Sequence, residues 1–412
     1  MKIVHFNKSD LHGGAARAAY RIHHALRMVD INSTMQVDNA VSEDWTVETS
    51  KSLIYDLIKK IHRLISKMIN QLLRTKNLIL HSPAIFSSGR DREINNSNAD
   101  IVHLHWIQGE MLSIKEIGKI TKPIVWTLHD MWAFCGAEHY TEDNRYKDGY
   151  VKCNRPNNEE GFDLNRWTWN RKCKFWKRPI HIVTPSHWLA DCVKSSYLMK
   201  GWSVTVIPNA IDTDQWKFIN KGYARSILTL PENKKLLLFG AMGGWSDLRK
   251  GFDLLLLALQ VLKEQVDEIE LVVFGQLEPK EPINLGFPIH YMGHLYDDVS
   301  LNLLYSAADI MLIPSRQDNL PNTGVESLAS GTPIVAFDTC GLSDIVKHCK
   351  TGYLAEAFDI NDFAKGIAWI LENDQRYEIL SNNSRQFAVN NFSYSVVAEK
   401  YRALYEKVME PQ

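Results

Sequence analysis

Short apolar stretches, each followed by a turn or a helix-forming segment, recur along this chain and restrict its fold more than any other feature. In the first half the stretches are "KIVHFN", "ADIVHLHW", "KPIVWTLHD" and "IHIVTPS". The first leads through the Gly-rich turn of "LHGGAARAAYRIHHALRMVD" into a helix. Apolar strand alternating with helix is the pattern of a doubly wound α/β domain with a parallel sheet. At 203–212, "SVTVIPNAID" supplies another short strand, and its Pro-Asn pair interrupts the rhythm. After a polar stretch a second series begins: "KKLLLFGAM", "IELVVFG", "IHYMGH", "DIMLIPS" and "TPIVAFD", with helical segments such as "GFDLLLLALQVLKEQ" between several of them. The pattern predicts two Rossmann-like domains, over 1–205 and 206–390. A closing helix over 391–412 carries an apolar face of Val396, Val397, Tyr401, Leu404 and Tyr405 and is expected to return to the first domain. A length of 412 residues suits two cores better than one.

A formal net charge of -1 argues against a broad nucleic-acid footprint. The opening "MKIVHFNKSD" has no apolar run of signal-peptide length, and no later run could span a bilayer, so a cytoplasmic location is expected. Cys135, Cys153, Cys173, Cys192, Cys340 and Cys349 are scattered, as suits reduced thiols. Cys135, Cys153 and Cys173 share a polar region with His139. A zinc site there would need close ligand pairs such as C-x2-C, which are absent, so no metal is expected.

In doubly wound sheets, ligands bind at the carboxyl ends of the strands, where loops and helix N-termini converge. Gly13, Gly14, His105, His129, Gly240, Gly275 and Asp318 fall at predicted strand ends. The most informative stretch is "PSRQDNLPNTGVESLASGTPIVAFD", which places Asp318 and Glu326 eight residues apart around a Pro-Asn-Thr-Gly turn. Asn322 or Thr323 fits a helix N-cap, and Thr323 with Glu326 fits a capping box. The alternative is two carboxylates that accept hydroxyls of one ligand beside a helix end that favours an anion. "GGWSDLRKGFDLL" sets Arg249 and Lys250 at a helix start, where the macrodipole disfavours cations. A fork and a point charge together suit a diphosphate. "LHGGAAR" is either an anion cradle or a tight turn, and His129 of "TLHD" either a site residue or a satisfied core histidine.

Residues 51–80, "KSLIYDLIKKIHRLISKMINQLLRTKNLIL", predict an amphipathic helix. Ile54, Leu57, Ile58, Ile61, Leu64, Ile65, Met68, Leu72 and Leu73 recur at helical spacing. Lys59, Lys60, Arg63, Lys67 and Arg74 lie opposite them, with the single acid Asp56. Such a helix either packs its apolar face on the first domain or lies on an anionic membrane.

Taken together these motifs resemble the GT-B glycosyltransferases of family 4. The Asp318–Glu326 stretch resembles that family's E-x7-E signature, and "IPNAIDTDQW", "DLRKGFDLL", "LYSAADIMLIPS" and "GYLAEAFD" are similar to other family segments in the expected order. "DNLPNTGVESLASGTPIVAF" and "LHDMWAFCGAEHY" look nearest to bacterial exopolysaccharide and O-antigen members of the colanic-acid type. The resemblance implies a retaining, metal-independent hexosyltransferase without cofactor. Its donor would be a UDP- or GDP-sugar and its acceptor a glycan or lipid-linked saccharide, at the cytoplasmic side of the membrane. By the same resemblance Glu326 holds the donor ribose and Asp318, with Asn319 and Leu320, the transferred sugar. Arg249 and Lys250 stabilise the leaving diphosphate, Gly13 and Gly14 let the chain pass close to it, and His129 approaches the sugar from the other domain. The first acid is Asp318 rather than Glu, which shortens its reach by one methylene. The competing readings are a GT-B nucleotide-sugar epimerase, a phosphorylase whose pyridoxal-phosphate lysine the sequence does not place, and a non-catalytic nucleotide-sugar-binding scaffold.

Overall fold

The computed structural model describes residues 1–49, 53–240, 247–281 and 283–410, with side chains of the second helix from residue 57. The start of the basic helix and the Gly-rich segment before Asp247 therefore lie outside the described residues. The chain divides into two compact units, one of residues 1–207 and 398–412, the other of 208–397.

Seven parallel strands form the sheet of the first unit: β1 (Lys2–Ser9), β2 (Asn32–Asn39), β3 (Val47–Thr49), β4 (Ile101–Leu104), β5 (Ile124–Thr127), β6 (His181–Thr184) and β7 (Val204–Val206). Their order is β3-β2-β1-β4-β5-β6-β7. Strand order thus reverses between β1 and β4, which pair with His5 opposite His103. Trp126, Trp132 and Trp176 pack edge-on and tilted against one another within the core of this unit. β2, "NSTMQVDN", has weak hydropathy, yet Ser33, Met35 and Val37 alternate inward as a half-buried strand requires. Helix α1 (Gly14–Met28) follows β1.

Helix α2 (Leu53–Asn70) ends ten residues short of the 51–80 segment and does not bury its apolar face on the unit. Its polar side faces the unit: Lys59 and Arg63 bind Asp38, His62 stacks on Phe86 at 4.4 Å, and Ser66 Oγ donates to Glu110 Oε1 at 2.7 Å. Its apolar side faces solvent, with Leu57 and Leu64 each 61% and Met68 59% exposed. The cause lies in the enclosed Asp38 carboxylate, which also accepts from Lys8 at 2.6 Å and Arg90 at 2.9 Å. A buried carboxylate needs paired cations, and α2 supplies two of them. Burial opposes the charged form of Asp38, but Lys8 and Arg90 prevail and hold its pKa below the usual carboxylate value.

The second unit has a six-stranded parallel sheet of β8 (Lys235–Gly240), β9 (Ile269–Phe274), β10 (Ile289–Tyr291), β11 (Ile310–Ile313), β12 (Ile334–Phe337) and β13 (Gly352–Ala355), in the order β10-β9-β8-β11-β12-β13. Both faces are covered. Leu236 and Leu238 of β8 enter one core cluster, while Leu237 and Phe239 enter the other. This explains why these strands read as continuous apolar runs rather than alternating ones. Strand order reverses between β8 and β11.

The loop after β8 ends in a short 3-10 turn, Leu248–Lys250, and Gly251 at φ 66° then opens helix α3 (Phe252–Leu262). A Cβ at Gly251 would lie 1.8 Å from the Pro314 carbonyl oxygen, so this glycine is required both by its backbone conformation and by space. Gly251→Ala is expected to destabilise the second unit by about 3 kcal/mol. Urea denaturation checks this, and an unchanged midpoint would show that the loop relaxes at no cost.

Candidate nucleotide-sugar site

At the reversal between β8 and β11, the carboxyl ends of both strands and the turn before α3 border one cavity. Gly240 ends β8, and Pro314, Ser315 and Asp318 follow β11. With Lys250 and Thr323 they line one cavity. Lys250 Nζ donates to Asp318 Oδ2 at 2.6 Å, and Ser315 Oγ donates to the same oxygen at 3.2 Å. The pair joins two sequence motifs 68 residues apart. Arg249 is oriented separately: its guanidinium bonds Asp247 at 2.6 Å, and its backbone carbonyl accepts from Arg316 N at 2.7 Å. Arg316 in turn grips Asp253 in the first turn of α3 through two bonds of 2.7 Å. The carboxylate on α3 complements the helix dipole, so the cations at this end are anchored from outside the helix.

Helix α4 (Asn322–Ala329) begins after Pro321, its N-cap, and no side chain among the described residues caps it. The expected capping box is therefore not formed. Glu326 lies beyond the first turn, buried, where its Oε2 accepts from Tyr305 Oη at 3.0 Å. Pro321 wins because its fixed φ suits the extended cap position. Asn319 and Leu320 are buried, and Asn209 Nδ2 ties this loop down through the Leu320 carbonyl and Asn322 Oδ1, each at 3.0 Å. Among the sequence-selected residues of this unit, Lys250 and Asp318 are in direct contact. Glu326 sits at the other end of the same loop-helix segment.

In the first unit, Gly13 has φ 97° and precedes α1, with open space where a Cβ would stand. Its backbone conformation, rather than crowding, calls for glycine. Gly14 is the first residue of α1. His129 follows β5 and is partly exposed. Burial pulls its pKa down to about 4 against the attraction of Asp130, so the ring is neutral at neutral pH. Asp130 is held by Trp106 Nε1 at 3.0 Å and His139 Nδ1 at 2.6 Å. His139 is thus engaged with Asp130, while buried Cys135 and exposed Cys153 stand in different environments. Lys172 occupies the middle of this region and donates to the carbonyl oxygens of Trp132, Cys135 and Gly136.

Two Rossmann-like units, each with a parallel sheet, define the GT-B class of glycosyltransferase fold. The solved structure of sucrose-phosphate synthase from Thermosynechococcus elongatus superposes with a TM-score of 0.67 over 99% of both chains, at 16% identity. Anabaena HepE, solved with UDP and glucose, superposes with a TM-score of 0.64 over 99% of this chain and 100% of its own, at 14% identity. Such identities establish the fold alone. Two family models match consecutive parts of the sequence, Glycosyltransferase Family 4 over residues 12–215 and Glycosyl transferases group 1 over 224–387. The chain belongs with these group 1, family 4-like GT-B glycosyltransferases. It is 26% identical to an uncharacterized glycosyltransferase of Haemophilus influenzae over 181 residues, 42% of this chain and 49% of that protein. The chain spans about half the length of the curated relatives it matches.

The sequence did not reveal that Tyr305 supports Glu326, nor that His5 and His105 connect to His129. Parallel pairing of "KIVHFN" with "IVHLHW" was the available signal for the histidines, since their shared H-F/H-L pattern falls in register.

The Lys250–Asp318 contact is partly screened, with the lysine side chain 23% exposed. In a double-mutant cycle of Lys250→Met and Asp318→Asn, a coupling of about 1 kcal/mol is expected from urea denaturation. Strictly additive losses would mean that the two groups are merely adjacent.

Proposed function

We propose that this protein is a retaining, metal-independent glycosyltransferase. It moves a hexose from a UDP- or GDP-sugar to a glycan or lipid-linked saccharide in surface polysaccharide biosynthesis. The observation that carries the reading is the junction of Lys250 with Asp318 at the strand-order reversal of the second unit, with buried Glu326 on the same loop-helix segment. An ammonium, a carboxylate and a helix N-terminus gathered there suit a diphosphate and a sugar together. The Anabaena neighbour solved with UDP and glucose supports a nucleotide-sugar donor.

In this reading the anomeric C–O bond to the diphosphate breaks while an acceptor hydroxyl attacks from the same face of the sugar. Negative charge grows on the departing diphosphate, and Arg249 and Lys250, already held by their loop, stabilise it without reorganising. Asp318, with Asn319 and Leu320, engages the transferred sugar. Lys250 orients the Asp318 carboxylate as an acceptor for sugar hydroxyls. Glu326, fixed by Tyr305, accepts from the ribose diol. Gly13 and Gly14 give the diphosphate a close approach to backbone, and neutral His129 hydrogen-bonds the sugar.

The polar underside and apolar outer side of α2 favour membrane contact for this helix. Its exposed leucine–isoleucine face can enter the lipid interface, while exposed Lys60 and Lys67 attract anionic head groups. Lys59 is only 4% exposed and serves Asp38 instead.

A panel of nucleotide sugars tests the donor assignment. One of them is expected to bind and to turn over equally with and without EDTA, and a requirement for added magnesium or manganese contradicts the metal-free mechanism. Glu326→Ala is expected to weaken that donor by roughly 1.5–3 kcal/mol in calorimetric titration. A melting point that falls while affinity holds would assign Glu326 to stability alone. For α2, binding to anionic vesicles that weakens with salt is expected. The pair Lys60→Glu and Lys67→Glu should reduce it about tenfold or more at low salt. Indifference of the wild type to such vesicles sinks the membrane reading but leaves the donor reading intact.

A further inference from the structure

The first unit gathers histidines within its sheet and at the carboxyl ends of its strands, and three of them are joined ring to ring. His5 Nδ1 lies 2.9 Å from His105 Nε2, and His105 Nδ1 lies 3.3 Å from His129 Nε2. The rings stack at 5.2 Å and 5.5 Å between centroids, tilted by 21° and 26°. His5 and His105 are fully buried, whereas His129 reaches the surface. At the inner end His5 Nε2 has no hydrogen-bond partner among the described residues.

Ring nitrogens of His5, His103 and His105 gather within 4.8 Å of one another, but they do not make a metal site. Both nitrogens of His103 are taken, by Tyr405 Oη and Thr127 Oγ1, each at 2.7 Å. Its ring stacks on His105 at 4.1 Å, so the lone pairs of the two rings do not converge as ligands must.

Burial lowers the pKa of all three joined histidines, so each carries one ring proton. The chain then has two arrangements. With protons shifted outward, His5 Nδ1–H donates to His105 Nε2 and His105 Nδ1–H donates to His129 Nε2. His129 then carries its proton on Nδ1. With protons shifted inward, every bond reverses, and a buried N–H at His5 Nε2 has no acceptor, which is a rare state.

We infer that His5 and His105 are positioning residues that lock His129 in the Nδ1–H tautomer, through a hydrogen-bonded chain running from the sheet interior to the surface. His129 is thereby preset as a hydrogen-bond donor to an acceptor oxygen, the role that a sugar hydroxyl or ring oxygen requires. This consequence rests on the assignment of His129 to the transferred sugar; the tautomer itself does not.

Long-range proton–nitrogen correlation spectra of protein labelled with nitrogen-15 in histidine read each tautomer directly. His129 is identified by the signals lost in His129→Ala. The expected result is Nδ1–H on His129, with Nε2 as acceptor; an Nε2–H or averaged pattern overturns the inference. In His105→Phe, which keeps a stacked ring, His129 is expected to average between tautomers. The kcat should fall about tenfold while donor KM stays within about twofold. A folded His105→Phe protein in which His129 keeps its Nδ1–H pattern also overturns it. If that variant does not fold, scalar coupling across the His5–His105 N–H···N bond in the wild type decides, and its absence counts against the chain. Unchanged turnover in His129→Ala would instead remove His129 from the sugar, a failure visible separately from the tautomer.

Discussion

A parallel strand can be followed by another in the same sheet only if the chain crosses over one face. Where successive crossovers go to opposite faces, strand order must reverse, and the two strands at the reversal send their loops apart at their carboxyl ends. Both sheets of this protein obey that constraint, between β1 and β4 and between β8 and β11. The loops released there are those with the chemical residues: Gly13 and His105 in one unit, Gly240, Lys250, Ser315 and Asp318 in the other. The strands are buried on both faces and carry almost no chemistry of their own in the second unit. The first unit is the exception, because it stores polarity inside its sheet.

That stored polarity follows one rule throughout. Buried polar atoms find partners within the same layer or draw partners in from neighbouring elements. His103 bonds Tyr405 and Thr127, and Thr127 bonds Tyr401 at 3.0 Å, so the closing helix contributes two hydroxyls to the sheet. His23 is satisfied by Ser33 and Thr46, each at 2.7 Å. Asp38 draws Lys8, Lys59, Arg63 and Arg90 around it, and through Lys59 and Arg63 it turns the polar side of α2 inward. Burial pulls the pKa of Lys8 down to about 8 even beside that carboxylate, a measure of how poorly water reaches the cluster. One enclosed carboxylate therefore decides which side of a helix meets solvent.

The two units differ in how they place a reactive group. In the second, Lys250 and Asp318 are held by loop geometry: Gly251 brings the chain against Pro314, Arg316 ties Asp253, and Asn209 pins the Leu320 carbonyl. In the first, His129 is backed by the ring of His105, just past β4, and that ring by His5 within β1. Loops fix position through many backbone contacts, while a ring column fixes orientation and proton location through few. Lys250 and Asp318 are therefore positioned by loop contacts, and His129 by the rings stacked behind it.

Apolar runs long enough to cross a sheet declared themselves in the sequence: "KIVHFN", "KKLLLFGAM", "IELVVFG" and "DIMLIPS" are strands because nothing but a doubly covered layer buries such segments. Three strands were not legible in the same way. "NSTMQVDN" and the three-residue Val47–Thr49 have little hydropathy, and "GYLA" is short; pairing with a neighbour, which no local pattern encodes, makes them strands. Among site residues, the sequence by itself singled out Arg249, Lys250, Asp318, Glu326 and His129, because each is an unusual residue at the end of a recognisable strand or the start of a helix. Only the tertiary structure decided their partners. Lys250 meets Asp318 across 68 residues, Glu326 is held by Tyr305 rather than by the helix cap, and His129 leans on His105 and His5. Hydropathy and spacing are properties of neighbours along the chain, whereas hydrogen bonds and charge pairs act over a few ångströms in space. The sequence therefore marked the unusual residues, and folding chose the partner of each.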